Sequence, residues 1–373
     1  MKRFIGIDLS KRSMEVSFLE EGKFSLKKLS TSPQGRAKLM KLLDQEDTIA
    51  LETGNMSFLL AKMIQDEVKA KVHVLNAGKL HIIFASQKKT DKQDAINLAK
   101  FIQRHPEDEL PKVSLPSEEE MMMRRLVVEQ KRIVGERTRL VNTLKCLFWN
   151  AGIVEIKRSD FQLGKDKEPW LKMLPEDRLI GANRIVKHIN FIEKQICEIE
   201  EEIRHHLKNH LEQVILLMSM PGIGLISAFV LVAYLGDMNR FSNGSQVSNY
   251  SGFTPKVDQS GQQMHYGNIS KQGCRYIRRV MVQAAWAVIR TKERTVFHEM
   301  YERVSYRRGK GRAIVAVARK MLEILFAMNK KQELFNQKDS GDNKLLLKLA
   351  RYGLIEKESK KQKVQLPRYK NAI

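Results

Sequence analysis

Four carboxylates stand where a carboxylate is hard to explain as ordinary surface. Asp8 interrupts the apolar run Phe4-Ile5-Gly6-Ile7, with Leu9 on its other side. Glu52 closes a second apolar run, Ile49-Ala50-Leu51, and leads into a turn containing Gly54. Asp91 and Asp94 are three residues apart, a spacing that puts both on one side of a helix's first turn. A charge among apolar neighbours is costly unless it is paired or coordinated. Four carboxylates from distant segments, all oxygen ligands, select Mg2+ or Mn2+ over zinc. Two such ions ~4 Å apart polarise a phosphodiester and stabilise its leaving oxygen. Taken singly, the acids have plainer readings. Asp91 and Asp94 read as an N-cap and a first-turn acid, and Glu52 as a strand-end acid. Asp8 is the hardest to explain in that way.

The elements that must position these acids are legible. Residues 4–9, 14–19 and 23–29 read as three strands with short connections, an antiparallel meander. A helix over 33–43, a strand over 48–52, a helix over 58–67, a strand over 71–75 and a helix over 92–103 follow. Three paired strands, then alternating helices and strands, is the order of a ribonuclease H-like fold. In that layout the first strand and the 48–52 strand are neighbours, so the acids can meet at one edge of the sheet. Residues 104–117 carry three prolines and no periodicity, and read as a linker. Beyond it, Leu126, Ile133, Leu140, Leu144 and Leu147 fall on one helical stripe, and Ile185, Ile189, Ile192, Ile196, Ile199 and Ile203 on another. These are coiled-coil seams that pack together or against a second subunit. Residues 151–183 break the pattern, and 219–329 read as compact and mostly helical.

The formal charge of +23, from 66 Lys and Arg against 43 Asp and Glu, favours a polyanionic partner, nucleic acid before membrane. Three scattered cysteines suit a reducing cytoplasm and have no metal-ligand spacing. No signal peptide is read at the N-terminus. Residues 214–235 carry no charge over a membrane-spanning length, but Pro221-Gly222-Ile223-Gly224 divides them into two buried helices.

Gly6-Ile7-Asp8-Leu9-Ser10-Lys11, Glu52-Thr53-Gly54 and Lys89-Thr90-Asp91-Lys92-Gln93-Asp94-Ala95, with residues 218–285 and the helix 313–328, together resemble the DEDD-type insertion-sequence transposases. That family includes RNA-guided bridge recombinases and Piv-type DNA invertases. The strand-Asp-turn also matches the opening of actin-like kinases, but no later Gly-rich nucleotide loop of the expected form follows. The resemblance implies an α/β plus α architecture: a RuvC-like domain over 1–110 with the four acids holding Mg2+ or Mn2+, coiled-coil dimerisation helices over 118–215 with an insert at 151–183, a mostly helical C-terminal transposase domain over 216–330, and a basic tail over 331–373. It implies a serine nucleophile, by motif Ser260, and a composite site with the acids from one subunit and the serine from another. It also implies donor and target DNA, a guide (bridge) RNA, a homodimer or tetramer, and a cytoplasmic, nucleoid-associated bacterial or archaeal protein. A metal-activated-water junction nuclease and a non-enzymatic nucleic-acid scaffold are the competing readings.

From the residues alone, Ser260-Gly261 is a turn, with Ser270 and Tyr266 as rival nucleophiles. A serine ester would conserve bond energy for religation. Lys271, Arg275, Arg278 and Arg279 read as a phosphate clamp, slightly ahead of a solvated basic face, the three arginines sharing one helical face. Arg307, Arg308, Lys310 and Arg312 read as a basic loop on nucleic-acid backbone. Pro221-Gly222-Ile223-Gly224 reads equally as a plain turn or as a phosphate cradle. His206 and His210, four apart, are a zinc pair or exposed polar positions, the latter favoured.

Overall fold

The computed structural model describes residues 3–54, 56–83, 90–161, 165–260, 263–335 and 341–355. The chain divides into two compact units, Met1–Ser117 and Glu118–Ile373.

In the first unit, β1 (Phe4–Leu9), β2 (Ser13–Glu20), β3 (Lys23–Ser30), β4 (Thr48–Glu52) and β5 (Lys71–Leu75) form one sheet in the order β3-β2-β1-β4-β5. β1, β2 and β3 pair antiparallel, whereas β1–β4 and β4–β5 are parallel. The expected meander is present, and β1 and β4 are neighbours. The helices are α1 (Pro33–Met40), α2 (Ser57–Met63), α3 (Ala77–Ile83) and α4 (Asp91–Arg104). A wider helical turn over Ile64–Val68 extends α2 and ends at Lys69 in the left-handed region, φ 63°.

Alternation along the strands sorts their side chains into two cores. Ile5 and Ile7 of β1 and Ile49 and Leu51 of β4 pack with Leu39 of α1 and Leu60 and Ala61 of α2. Phe4 of β1 and Ala50 of β4 belong to the opposite core, with Leu98, Phe101 and Ile102 of α4. Gly6 and Asp8 share the parity of Phe4, and Glu52 shares that of Ala50. Both strand acids therefore stand on the α4 side of the sheet. Gly6 is what lets α4 lie directly on β1: a Cβ there would sit 2.0 Å from the Ala95 carbonyl oxygen and 2.6 Å from the Ala99 nitrogen. The segment expected as a free linker is partly tied to the sheet. Asn76 N–H donates to Pro111 O at 2.9 Å, and Val113 N–H to Val74 O at 2.8 Å.

The second unit opens with α5 (Glu118–Trp149), α6 (Glu168–Leu171) and α7 (Glu176–Asn209). α5 and α7 pack on each other within one chain, and Arg137 on α5 donates to the buried Glu193 on α7 at 3.0 Å. The stretch between them is not idle. Ile153, Ile156, Phe161, Leu171 and Leu174 close a core over Val141, Leu144, Phe148, Val186 and Ile189. The rest comprises α8 (Leu211–Ser219), α9 (Leu225–Leu235), α10 (Gly244–Tyr250), the hairpin β6 (Pro255–Ser260) and β7 (Gln263–Ile269), α11 (Arg275–Ile289), α12 (Val296–Arg308), α13 (Lys310–Lys331) and α14 (Gly341–Arg351). The uncharged 214–235 segment is the predicted pair of buried helices, α8 and α9. Between them Gly222 adopts φ 83°, and a Cβ there would lie 2.4 Å from the Ala284 carbonyl oxygen of α11. Among the described residues no helix is long and apolar enough to cross a membrane.

Candidate active site

Two central parallel strands bring Asp8 and Glu52 together. Ile7 of β1 is in register with Leu51 of β4, and the acids are the next residue on each strand. The carboxyl ends of parallel strands are where open α/β sheets place their sites. The opening turn of α4 supplies the other pair. Thr90, not Asp91, is the N-cap: its hydroxyl accepts from Gln93 N–H at 3.3 Å. Asp91 and Asp94 are both first-turn acids, so the cap reading of Asp91 is corrected. The Gly6 contact sets α4 against β1 at Ala95 and Ala99, one turn beyond these acids.

The four carboxylates share one electrostatic environment. The Asp8 carboxyl is pushed up from 3.8 to about 6, by burial first and then by the charges of Asp91, Asp94 and Glu52. Only a backbone hydrogen bond at Leu9 opposes this. A neighbouring acid behaves differently. Glu15 lies opposite Asp8 on β2 and is buried, but Lys28 neutralises it at 3.1 Å. Among the described residues none of the four acids has a Lys, Arg or His within ion-pair distance.

The set fits a hard divalent cation in donor type and in charge: oxygens only, with excess negative charge and no counter-ion among the described residues. Among the described residues no three His, Cys, Asp or Glu side chains already stand at joint chelating distance. The acids share a field without forming a closed coordination sphere. Asp8, Glu52 and Asp94 are partly exposed and Asp91 is exposed, which leaves their rotamers room to converge.

In the second unit the sequence did not foretell a hairpin. Ser260 is the last residue of β6 and is in register with Gln263 of β7. It flanks the turn, and its side chain, like that of the rival Tyr266, lies outside the described residues. The other rival, Ser270, has its hydroxyl buried with no partner among the described residues, out of reach of an external phosphodiester. The base of the hairpin is a knot of backbone bonds: Ser270 N–H to Thr254 O at 2.7 Å, Lys271 N–H to Gly252 O at 3.2 Å and Cys274 N–H to Tyr250 O at 3.0 Å.

Arg278 belongs to that knot. Its guanidinium donates to the carbonyls of Ser251 at 2.8 Å and Gly273 at 3.0 Å. The three arginines of α11 therefore do not present one equivalent face. Arg279 and Lys271 are exposed, and Arg275 is exposed and hydrogen-bonded to the Tyr276 hydroxyl at 3.1 Å. The segment expected as a basic loop is a helix corner. Arg307 and Arg308 end α12, Gly309 turns at φ 79°, and Lys310 and Arg312 begin α13, all exposed. His210 bonds Glu119 at 3.1 Å across the second unit, and no third zinc ligand joins it and His206 among the described residues.

The comparisons with known proteins follow the same two halves. Residues 5–149, which contain all four acids, match the DEDD transposase model of the IS110 group, and residues 215–302, which contain Ser260, match the IS116/IS110/IS902 transposase model. A probable family 20 transposase of Pseudomonas aeruginosa is 26% identical over 64% of this chain and 72% of its own length. The transposase for insertion sequence element IS1111A of Coxiella burnetii is 25% identical over 68% and 70%. The pilin gene-inverting protein of Moraxella bovis is 21% identical over 90% of this chain and 98% of its own. With both halves matched in order by models drawn from one group, the chain belongs to the IS116/IS110/IS902 family of transposases.

Proposed function

We propose that this DNA recombinase cuts and rejoins the ends of an insertion sequence, using a RuvC-like carboxylate site and a serine nucleophile, and that a structured bridge RNA selects donor and target. The observation that carries the reading is the raised carboxyl of Asp8, held at the ends of β1 and β4 in the field of Asp91, Asp94 and Glu52. The strand order supports the RuvC-like assignment.

Asp8, Glu52, Asp91 and Asp94 would hold Mg2+ or Mn2+. When bound, the metal lowers the charge on the scissile phosphate and stabilises the departing oxygen. The chain's own part is the following. The Ser260 hydroxyl attacks phosphorus and a phosphoserine bond forms; one DNA oxygen leaves with the electron pair of the broken P–O bond, and the serine's proton passes through solvent to that oxygen. A second DNA hydroxyl then attacks the same phosphorus and displaces Ser260, so religation needs no external energy. The Arg278 knot holds the base of the hairpin that carries Ser260. Arg279, Lys271 and the exposed corner at Gly309 offer unpaired positive charge to nucleic-acid phosphates. The net charge of +23 supports binding of both RNA and DNA.

Full-length alignment with the pilin gene-inverting proteins favours a second reading, inversion of a resident segment by the same chemistry. The test is adduct trapping on a labelled donor end in Mg2+ with RNA transcribed from the flanking DNA. Wild type is expected to form a denaturation-resistant protein–DNA adduct, and Ser260→Ala and Asp8→Ala to form none while staying folded. An adduct persisting in Ser260→Ala would move the nucleophile. Cleavage with no adduct in any variant would favour metal-activated water. Inverted rather than excised products would select the invertase reading.

A further inference from the structure

The exposed corner between α12 and α13 holds more than charge. Residues 303–312 contain Arg303, Arg307, Arg308, Lys310 and Arg312 and no acid. All five cations are exposed, and among the described residues none forms an ion pair. In the middle stands Tyr306, 93% exposed. Several other aromatic side chains of the second unit have ring partners: Tyr234 stacks on Tyr276 at 5.2 Å, Trp286 meets Tyr301 at 6.0 Å, and Phe241 meets Tyr250 at 5.4 Å; the next most exposed aromatic among the described residues, Phe191, is 56% exposed. Among the described residues Tyr306 has no ring or cation partner. Leaving a tyrosine ring almost wholly in water forgoes the burial that aromatic residues ordinarily gain.

We propose that Tyr306 is a stacking platform for an unpaired DNA base, with the five cations of the same exposed corner, residues 303–312, holding neighbouring phosphates. The occupant follows from the chemistry. Exposed cations in the same short segment as a bare ring match a strand that alternates negative phosphates with π faces, which is how single strands are bound without sequence preference. Duplex hides its base faces and would engage the cations alone. The inference rests on the reading that this chain handles DNA, because recombination must expose unpaired strand at the moment of exchange. It is independent of the four acids and of Ser260.

The test is fluorescence anisotropy with the full chain in EDTA, using labelled oligothymidylate, a duplex of equal length and oligouridylate. Tyr306→Ala is expected to weaken oligothymidylate binding about tenfold, Tyr306→Trp to retain it, and both to change duplex binding less than twofold. Arg307→Ala with Arg308→Ala is expected to weaken both DNA probes alike and flatten their salt dependence. Unchanged oligothymidylate binding by a folded Tyr306→Ala protein, or equal losses on single strand and duplex, would overturn the proposal. A loss confined to oligouridylate would overturn the assignment to DNA. Because the assay contains no metal and needs no cleavage, failure of the catalytic reading leaves its outcome intact, and the reverse holds as well.

Discussion

Replacing Asp8 by Asn should make the protein more stable, because the carboxylate is held against its own electrostatics. In the folded chain its pKa is about 6, against 3.8 ordinarily. The folded state thus binds this proton more tightly than the unfolded state does. Stability from this group is fully present below pH 3.8, declines as pH rises toward 6, and is absent above that. The shift of about two units corresponds to roughly 3 kcal/mol at 1.36 kcal/mol per unit. Asp8 is only half-buried, so solvent screening leaves about 1.5 kcal/mol. Asn is nearly isosteric and never charged, so it removes that penalty. For a unit of this size the gain is roughly a 5 °C rise in unfolding midpoint.

The assay is thermal unfolding of wild type and Asp8→Asn in EDTA at pH 8 and pH 5. The variant's advantage should be full at pH 8 and about half at pH 5, where much of the wild-type carboxyl is already protonated. Millimolar Mg2+ at pH 8 should stabilise wild type by mass action and close the gap, with little effect on the variant. An Asp8→Asn protein less stable than wild type at both pH values would refute the argument. It would mean that the carboxylate is satisfied by contacts and that its three acidic neighbours do not set its environment.

Gly6→Ala should cost more than 3 kcal/mol or prevent soluble expression, because its methyl meets the α4 backbone at Ala95 and Ala99 rather than a movable side chain; circular dichroism and melting of the N-terminal unit check this. Arg278→Ala should lower stability by about 1–3 kcal/mol by leaving the Ser251 and Gly273 carbonyls without their donor. Arg279→Ala should leave the melting temperature unchanged while lowering the slope of log affinity against log salt by about one.

The first unit was legible because its signals are local and periodic. Asp8 and Glu52 terminate apolar runs whose alternation fixes strand faces, and the meander order left few ways to arrange the sheet. Thr90 was missed as the cap because Asp91 offers an equally good capping side chain, and only the bond to Gln93 decides between them. The hairpin carrying Ser260 was not foreseen. Its strands, Pro255–Ser260 and Gln263–Ile269, are polar, and one contains Gly267, so neither carries an apolar alternation. Arg278 looked like one member of a basic face because helical spacing reports direction but not partners. Its partners lie 27 and 5 residues away and depend on Gly252 and Gly273 bringing the chain close. The same blindness hid Glu15, an acid beside Asp8 whose role is decided by Lys28.

Pairing separates structural acids from working acids in this molecule. Three buried acids that serve the fold have built-in counter-ions: Asp47 with Arg3 at 2.7 Å, Glu193 with Arg137 at 3.0 Å, and Glu15 with Lys28 at 3.1 Å. Asp8 with its three acidic neighbours, and the five cations of residues 303–312, have no such partner among the described residues. For the acids this is not for want of candidates, since Lys and Arg outnumber Asp and Glu across the chain. On the proposed reading the counter-ions would come from outside: divalent cations for the carboxylates, phosphates for the five cations. Nucleic acid with its metal supplies both at once. That reading makes a separable prediction: added salt should weaken nucleic-acid binding at the cations around residues 303–312, and chelator should act only at the carboxylates.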